Sequence, residues 1–98
     1  MIENIRLTGI SDELIDKMID AIGYGYVLDM ACNYELVKEN IEFLKNLGIQ
    51  TVEELLLNRP NVFLIQTNVL QKKFSNTDIS FMCNLINEDC LAVDEVIS

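Results

Sequence analysis

The sequence has no histidine, a single proline, only seven basic residues against sixteen acidic ones, and no Cys-x-x-Cys among its three cysteines. Without histidine, nucleophilic triads that rely on an imidazole base are excluded. A zinc site of mixed Cys/His type is excluded for the same reason. Cys32, Cys83 and Cys90 are odd in number and so cannot all pair within the chain, which argues for buried reduced thiols rather than a disulfide framework. No apolar run approaches the roughly 18 residues that a membrane span requires. The N-terminus lacks the basic-then-apolar run of a secretory signal, so the expected location is the cytoplasm. No segment sustains the period-two alternation of a strand; only Val62-Phe63-Leu64-Ile65 suits a short strand as an alternative to helix.

The residues that are present read as helices. Half of the 98 residues are apolar, which argues against disorder, and a chain of this length buries somewhat more than about 60% of its unfolded surface. Ile2, Ile5 and Leu7 suit a short helix closed by Gly9. Ser11 is an N-cap with Asp12 and Glu13 in the first turn, where the helix dipole favours acids. Leu14, Ile15, Met18, Ile19 and Ile22 then form one apolar stripe, with Asp16, Lys17 and Asp20 facing out, and Gly23 ends the helix. Gly23-Tyr24-Gly25-Tyr26 reads as a turn, followed by a short buried helix from Val27 to Cys32. Asn33 is expected to cap the next helix, which carries Leu36, Val37, Ile41, Leu44 and Leu47 and is stopped by Gly48. Thr51 and Glu54 have the spacing of a capping box for Val52–Asn58. Pro60 starts a short helix through Leu64. Asn68 is expected to cap Val69–Phe74, and Asn76 or Thr77 a final helix whose apolar face is Ile79, Met82, Leu85 and Ile86. The expected fold is all-α: a small right-handed stack of short helices forming a single domain, with no sheet.

Parts of this pattern recur. Glu3-Asn4-Ile5 and Gly9-Ile10 reappear as Glu39-Asn40-Ile41 and Gly48-Ile49, at offsets of 36 and 39 residues, a period suited to stacked helix pairs. Read together, Asn40–Leu47, Gly48-Ile49, Thr51–Leu57, Pro60 and Val69–Phe74 resemble a repeat of the mitochondrial transcription termination factor family. The resemblance implies a degenerate unit at residues 9–48, the best-formed unit at 49–76 and a truncated unit at 77–98. Gly25 and the region of Cys90 stand where the family's proline would be. It also implies, as one functional expectation, a nucleic-acid-binding repeat module.

Charge points elsewhere. Residues 1–36 carry a net −5, residues 37–76 a net +1, and residues 77–98 a net −5 with no base. Such a potential repels phosphate backbones and favours basic partners. Paired acids on helical faces lack the facing geometry of a hydrolase, and the acids near the C-terminus lack the spacing of a calcium loop. No catalytic residue, metal ligand or cofactor is therefore expected. The leading expectation is a non-enzymatic acidic regulator or inhibitor, a DNA mimic that binds a basic surface of a protein partner such as a nucleic-acid-binding enzyme. Its candidate partner-binding residues are Asp12, Asp16, Asp20, Glu88, Asp89, Asp94 and Glu95. The alternative, a nucleic-acid-binding module, rests on Lys38, Lys45, Arg59, Lys72 and Lys73. Against it, Glu42–Lys45 and Lys38–Glu42 have the i,i+3 and i,i+4 spacing of intrahelical ion pairs. A third expectation is a self-associating adaptor, because a short stack leaves an apolar end uncapped. Tyr24, Tyr26 and Tyr34 suit either an interface or a core with hydroxyls turned outward.

Overall fold

A 3-10 helix, Ile2–Thr8, opens the chain. It is followed by α1 (Asp12–Ile22), α2 (Tyr24–Cys32), α3 (Tyr34–Leu47) and α4 (Val52–Asn58). A second 3-10 helix, Pro60–Leu64, then leads to α5 (Thr67–Ser75) and α6 (Ile79–Glu88). A third, Cys90–Val93, leads to the short α7 (Asp94–Ile97). The computed structural model describes residues 1–98. The chain is all-α with no strand; of Val62-Phe63-Leu64-Ile65, the one place where a strand was an alternative, the first three lie in the second 3-10 helix and Ile65 is its extended C-cap.

The first 3-10 helix packs on α2 and α3, α1 on α2 and α4, α3 on the second 3-10 helix and α5, and α6 on the third. Twenty-four buried apolar residues form one cluster, with Met18, Val27, Met30, Leu44, Leu55, Phe63, Leu70, Phe74 and Ile86 at its centre. The shape is elongated, 37 × 24 × 21 Å.

Several local signals act as read. The Leu14 N–H donates to Ser11 Oγ at 3.2 Å, capping α1. Leu14, Ile15 and Met18 are buried while Asp16, Lys17 and Asp20 face solvent. Gly48 sits at φ 106, a region that costs a side chain energy. That turn lets the Gly48 and Ile49 amides donate back to Lys45 O and Leu44 O, both at 3.1 Å, the paired bonds of a Schellman stop. Gly9 also has a left-handed backbone, at φ 87, and the following isoleucines, Ile10 and Ile49, are both buried.

Other signals are redirected by tertiary partners. Tyr24 to Tyr26 belong to α2, so only Gly23 forms the turn. Asn33 does not cap α3; its Nδ2 donates to Asp29 O at 2.9 Å and closes α2 instead. The Thr51/Glu54 capping box does not form. Thr51 has φ −100 and ψ 32, outside the extended region a cap residue needs, and its hydroxyl donates to Ile86 O at 3.0 Å across the molecule. Asn68 lies within α5, which starts at Thr67. Thr77 closes α5 by donating to Phe74 O at 2.6 Å. The cap of α6 is Asp78, whose Oδ1 accepts from the Phe81 N–H at 3.2 Å. On α6, Met82 and Ile86 are buried as expected and Leu85 packs partly against the core, while Cys83 is an additional buried residue and Ile79 is exposed. Of the thiols, only Cys83 is buried; Cys32 is exposed and Cys90 half-buried.

Candidate functional site

A cap at Ser11 fixes the phase of α1, so Asp12, Asp16 and Asp20 fall one turn apart along its outward ridge and all three are exposed. Asp12 Oδ1 accepts from Arg6 Nε at 2.8 Å. Both side chains are well exposed, where such a pair contributes little. Asp16 and Asp20 have no cation within ion-pair distance. Asp12 and Asp16 border a shallow groove of about 260 Å³ with Arg6 and Tyr24.

The C-terminal acids divide into two kinds. Glu88 and Glu95 are exposed and unpaired. Asp89 is also exposed, but its Oδ1 accepts the Leu91 N–H at 3.0 Å and caps the third 3-10 helix. Asp94 is held by a fork: Arg59 Nε donates to Oδ1 at 2.8 Å and Arg59 Nη2 to Oδ2 at 3.0 Å. Arg59 Nη1 also donates to Asn58 O at 2.7 Å. That hydrogen bonding lowers the Asp94 pKa and raises that of Arg59. Arg59 and Asp94, assigned from sequence to two opposed functions, are thus each other's partners. The fork fastens the C-terminal turn to the end of α4 and leaves neither group free.

Of the remaining basic candidates, Lys38, Lys45, Lys72 and Lys73 have no carboxylate within 4.0 Å, so the expected Glu42–Lys45 and Lys38–Glu42 pairs do not form. On an exposed helix face the gain from such a pair is only about 0.3–0.5 kcal/mol. Lys73 Nζ instead reaches Ile97 O at 3.4 Å. Lys38 and Lys45 border different depressions. The second, about 450 Å³, lies where Gly9-Ile10 and Ile49 approach, and has a floor of Leu14, Ile41, Val52 and Leu56 with Lys45 and Glu53 among its polar lining.

Two buried polar residues, Thr8 and Asn40, lie in the interior, and every buried side-chain polar atom has a partner. Asn40 Nδ2 donates to Phe63 O at 2.9 Å and to Ile65 O at 2.7 Å, and its Oδ1 accepts from the Thr67 hydroxyl at 2.8 Å. It ties the second 3-10 helix and the start of α5 to α3. Sequence reasoning passed over Asn40, although it falls at i+3 from Val37 within the buried stripe of α3, a position where a polar side chain needs a built-in partner. Asn87 was also missed. Its Oδ1 accepts the Gln50 N–H at 2.7 Å and its Nδ2 donates to Gly48 O at 3.0 Å, locking α6 to the α3–α4 turn.

Among the tyrosines, Tyr24 is exposed, while Tyr26 and Tyr34 are half-buried. Burial, with the nearby charge of Asp29, raises the Tyr26 pKa. No three acidic or cysteine side chains converge as a ligand set. No helix is long and apolar enough to cross a membrane. Comparison with protein families, curated proteins and solved structures gives no match.

Proposed function

We propose that the chain is a non-enzymatic interaction protein, a regulator or inhibitor that binds a basic surface of a protein partner such as a nucleic-acid-binding enzyme. The observation that carries this reading is the placement of its excess charge. Asp16 and Asp20 on α1, and Glu88 and Glu95 at the other end of the sequence, stand exposed with no cation in reach. Formal charge is −9. With no base within 4.0 Å, those carboxylates stay open to solvent and to an approaching partner, so they steer association and set its salt dependence.

The test reverses only acids that have no structural duty: Asp16→Lys, Asp20→Lys, Glu88→Lys and Glu95→Lys. Asp89 and Asp94 are spared because one caps a helix and the other holds Arg59. Each reversal changes the charge by two, so the formal charge moves from −9 to about −1. Capture of basic proteins from source-cell extract by the immobilised chain should fall at least about tenfold, with the variant's melting temperature unchanged. Equal capture by both chains contradicts the reading.

A second reading, duplex binding by a repeat of the transcription termination factor type, draws support from Lys38, Lys45 and Lys72, which carry no ion pair. It requires a gel shift with duplex DNA or RNA at about 50 mM salt, where phosphate contacts are strongest. No shift there removes it.

A further inference from the structure

On the reading above, that the partner is basic, the geometry points to where its apolar residues sit: we infer that the outward stripe of α6, formed by Asp78, Phe81, Leu85 and Glu88, docks a basic amphipathic helix of the partner protein. The inner face of α6 is fixed from several sides. Met82, Cys83 and Ile86 are buried. The Thr51 hydroxyl donates to Ile86 O at 3.0 Å, and Asn87 exchanges bonds with Gly48 O at 3.0 Å and the Gln50 N–H at 2.7 Å. The helix therefore cannot roll to bury anything else. At about 100° per residue, positions 81, 85 and 88 fall on one stripe that runs from the edge of that inner face outward, and Asp78, the cap, stands at its start.

What the stripe carries is unusual for the wet side of a helix. Phe81 is 58% exposed, and Leu85, one turn on, is only half-buried. Single exposed apolar side chains need no explanation. Here an exposed aromatic has, one turn on, a leucine that packs partly against the core and leaves its outer edge open, with a carboxylate at each end, Asp78 at the cap and Glu88 in the last turn, both exposed. Residues 77–98 contain no base to neutralise them. The stripe is about 15 Å long at 1.5 Å per residue, enough for two to three turns of a partner helix. Its order, acid, aromatic, leucine, acid, complements a helix with apolar residues between lysines or arginines. Charge also argues against a second copy as the occupant. A two-fold pairing of this stripe sets Asp78 or Glu88 of one chain against the same acids of the other.

The test uses the full chain, labelled for ¹H–¹⁵N NMR, and a designed amphipathic peptide of about four helical turns with a leucine stripe flanked by lysines. A twin peptide carries glutamates in place of the lysines. Binding of the lysine peptide should shift amides of α6 and the following turn. Phe81→Ala should weaken it at least about tenfold, the usual cost of truncating an aromatic anchor. Glu88→Gln should weaken it less and flatten its salt dependence. Leu7→Ala, equally exposed at 55% but on another element, should change nothing. Because Phe81 faces solvent, the variant's thermal melt should match the parent and leave folding out of the comparison. If the lysine peptide binds with shifts on α1, or binds F81A as tightly as the parent, the docking stripe is wrong while the acidic-partner reading stands. If the glutamate twin binds equally well, or neither peptide binds at about 50 mM salt, both fall. Dimerisation through Phe81 in sedimentation would also overturn the stripe's assignment to a basic segment.

Discussion

Replacing Asn40 tests how far one buried polar side chain organises this fold. Its amide nitrogen satisfies two carbonyls, Phe63 O at 2.9 Å and Ile65 O at 2.7 Å, and its oxygen takes the Thr67 hydroxyl at 2.8 Å. Asn40 and Phe63 are both fully buried, so truncation strands at least one acceptor in a dry site. An unsatisfied buried group costs about 1–3 kcal/mol. Ile65 is half-exposed, so water can relieve the second carbonyl. Asn40→Ala should therefore cost about 3 kcal/mol, and at about 4–8 °C per kcal/mol for a domain of this size the melting temperature should drop by more than about 10 °C. Asn40→Asp has nearly the same shape but turns a donor into an acceptor facing two carbonyls. It should be worse than alanine at pH 7. Burial and those carbonyls disfavour the introduced carboxylate, so its pKa is higher in the folded than in the unfolded chain. The neutral acid's contribution is then fully present below the unfolded value, about 3.9, and is lost as pH rises through the folded one. The stability gap between N40D and the parent should narrow as pH is lowered from 7 towards 4. Urea melts followed by circular dichroism measure both quantities. A cost for N40A below about 0.5 kcal/mol, the level of an ordinary surface change, would refute the reasoning.

Three further outcomes follow from named features. Gly48→Ala forces a side chain into a backbone at φ 106 and should cost about 1 kcal/mol, whereas Gly25→Ala, in helical backbone with nothing within 4 Å of the new methyl, should stabilise by about 0.4–1 kcal/mol; equal effects in chemical denaturation would contradict the assigned conformations. The Asp94 carboxyl has a folded pKa lowered from its ordinary 3.8 by Arg59, so its contribution is present above about pH 4 and is lost as pH falls through the lower folded value; Arg59→Ala should lower the melting temperature at neutral pH and flatten that acid limb, and an unchanged limb would show the fork to be idle. Alkylation followed by mass spectrometry should label Cys32 first, since it is exposed, then Cys90, and Cys83 last, because burial raises the pKa of both Cys90 and Cys83 and Cys83 is the more enclosed; early labelling of Cys83 would contradict the packing of α6.

What was legible in the sequence is what depends on neighbours in the chain. Ser11 caps α1 because its partner is three residues away, Gly48 stops α3 because a stop needs only a left-handed residue, and Pro60 opens a short helix because its ring presets the backbone. The failures share one cause. Thr51 and Asn40 bond to groups 35 and 23 residues distant, and Asn87 to one 39 residues distant. No local pattern ranks those partners above a capping amide. The α6 cap was misplaced because Thr77 has a competing bond backwards to Phe74 O, which leaves Asp78 to start the helix. For the candidate surfaces, acid-rich ends were visible as composition. That Arg59 would cancel Asp94 was not, since the two belong to different elements. Nor was the exposure of Phe81, which shares a helix with a strong apolar stripe and is turned outward only by the phase that Met82, Cys83 and Ile86 impose.

The central claim is that the unpaired acids at the two ends of the sequence recruit a basic protein. Its most direct test is salt-dependent capture from source-cell extract by the parent chain and by the variant reversed at Asp16, Asp20, Glu88 and Glu95. The account predicts that the parent retains basic proteins, that raising salt from about 50 to 200 mM releases them, and that the variant retains at least about tenfold less. Retention of nucleic acid instead, or of the same proteins by both chains at every salt concentration, would contradict it.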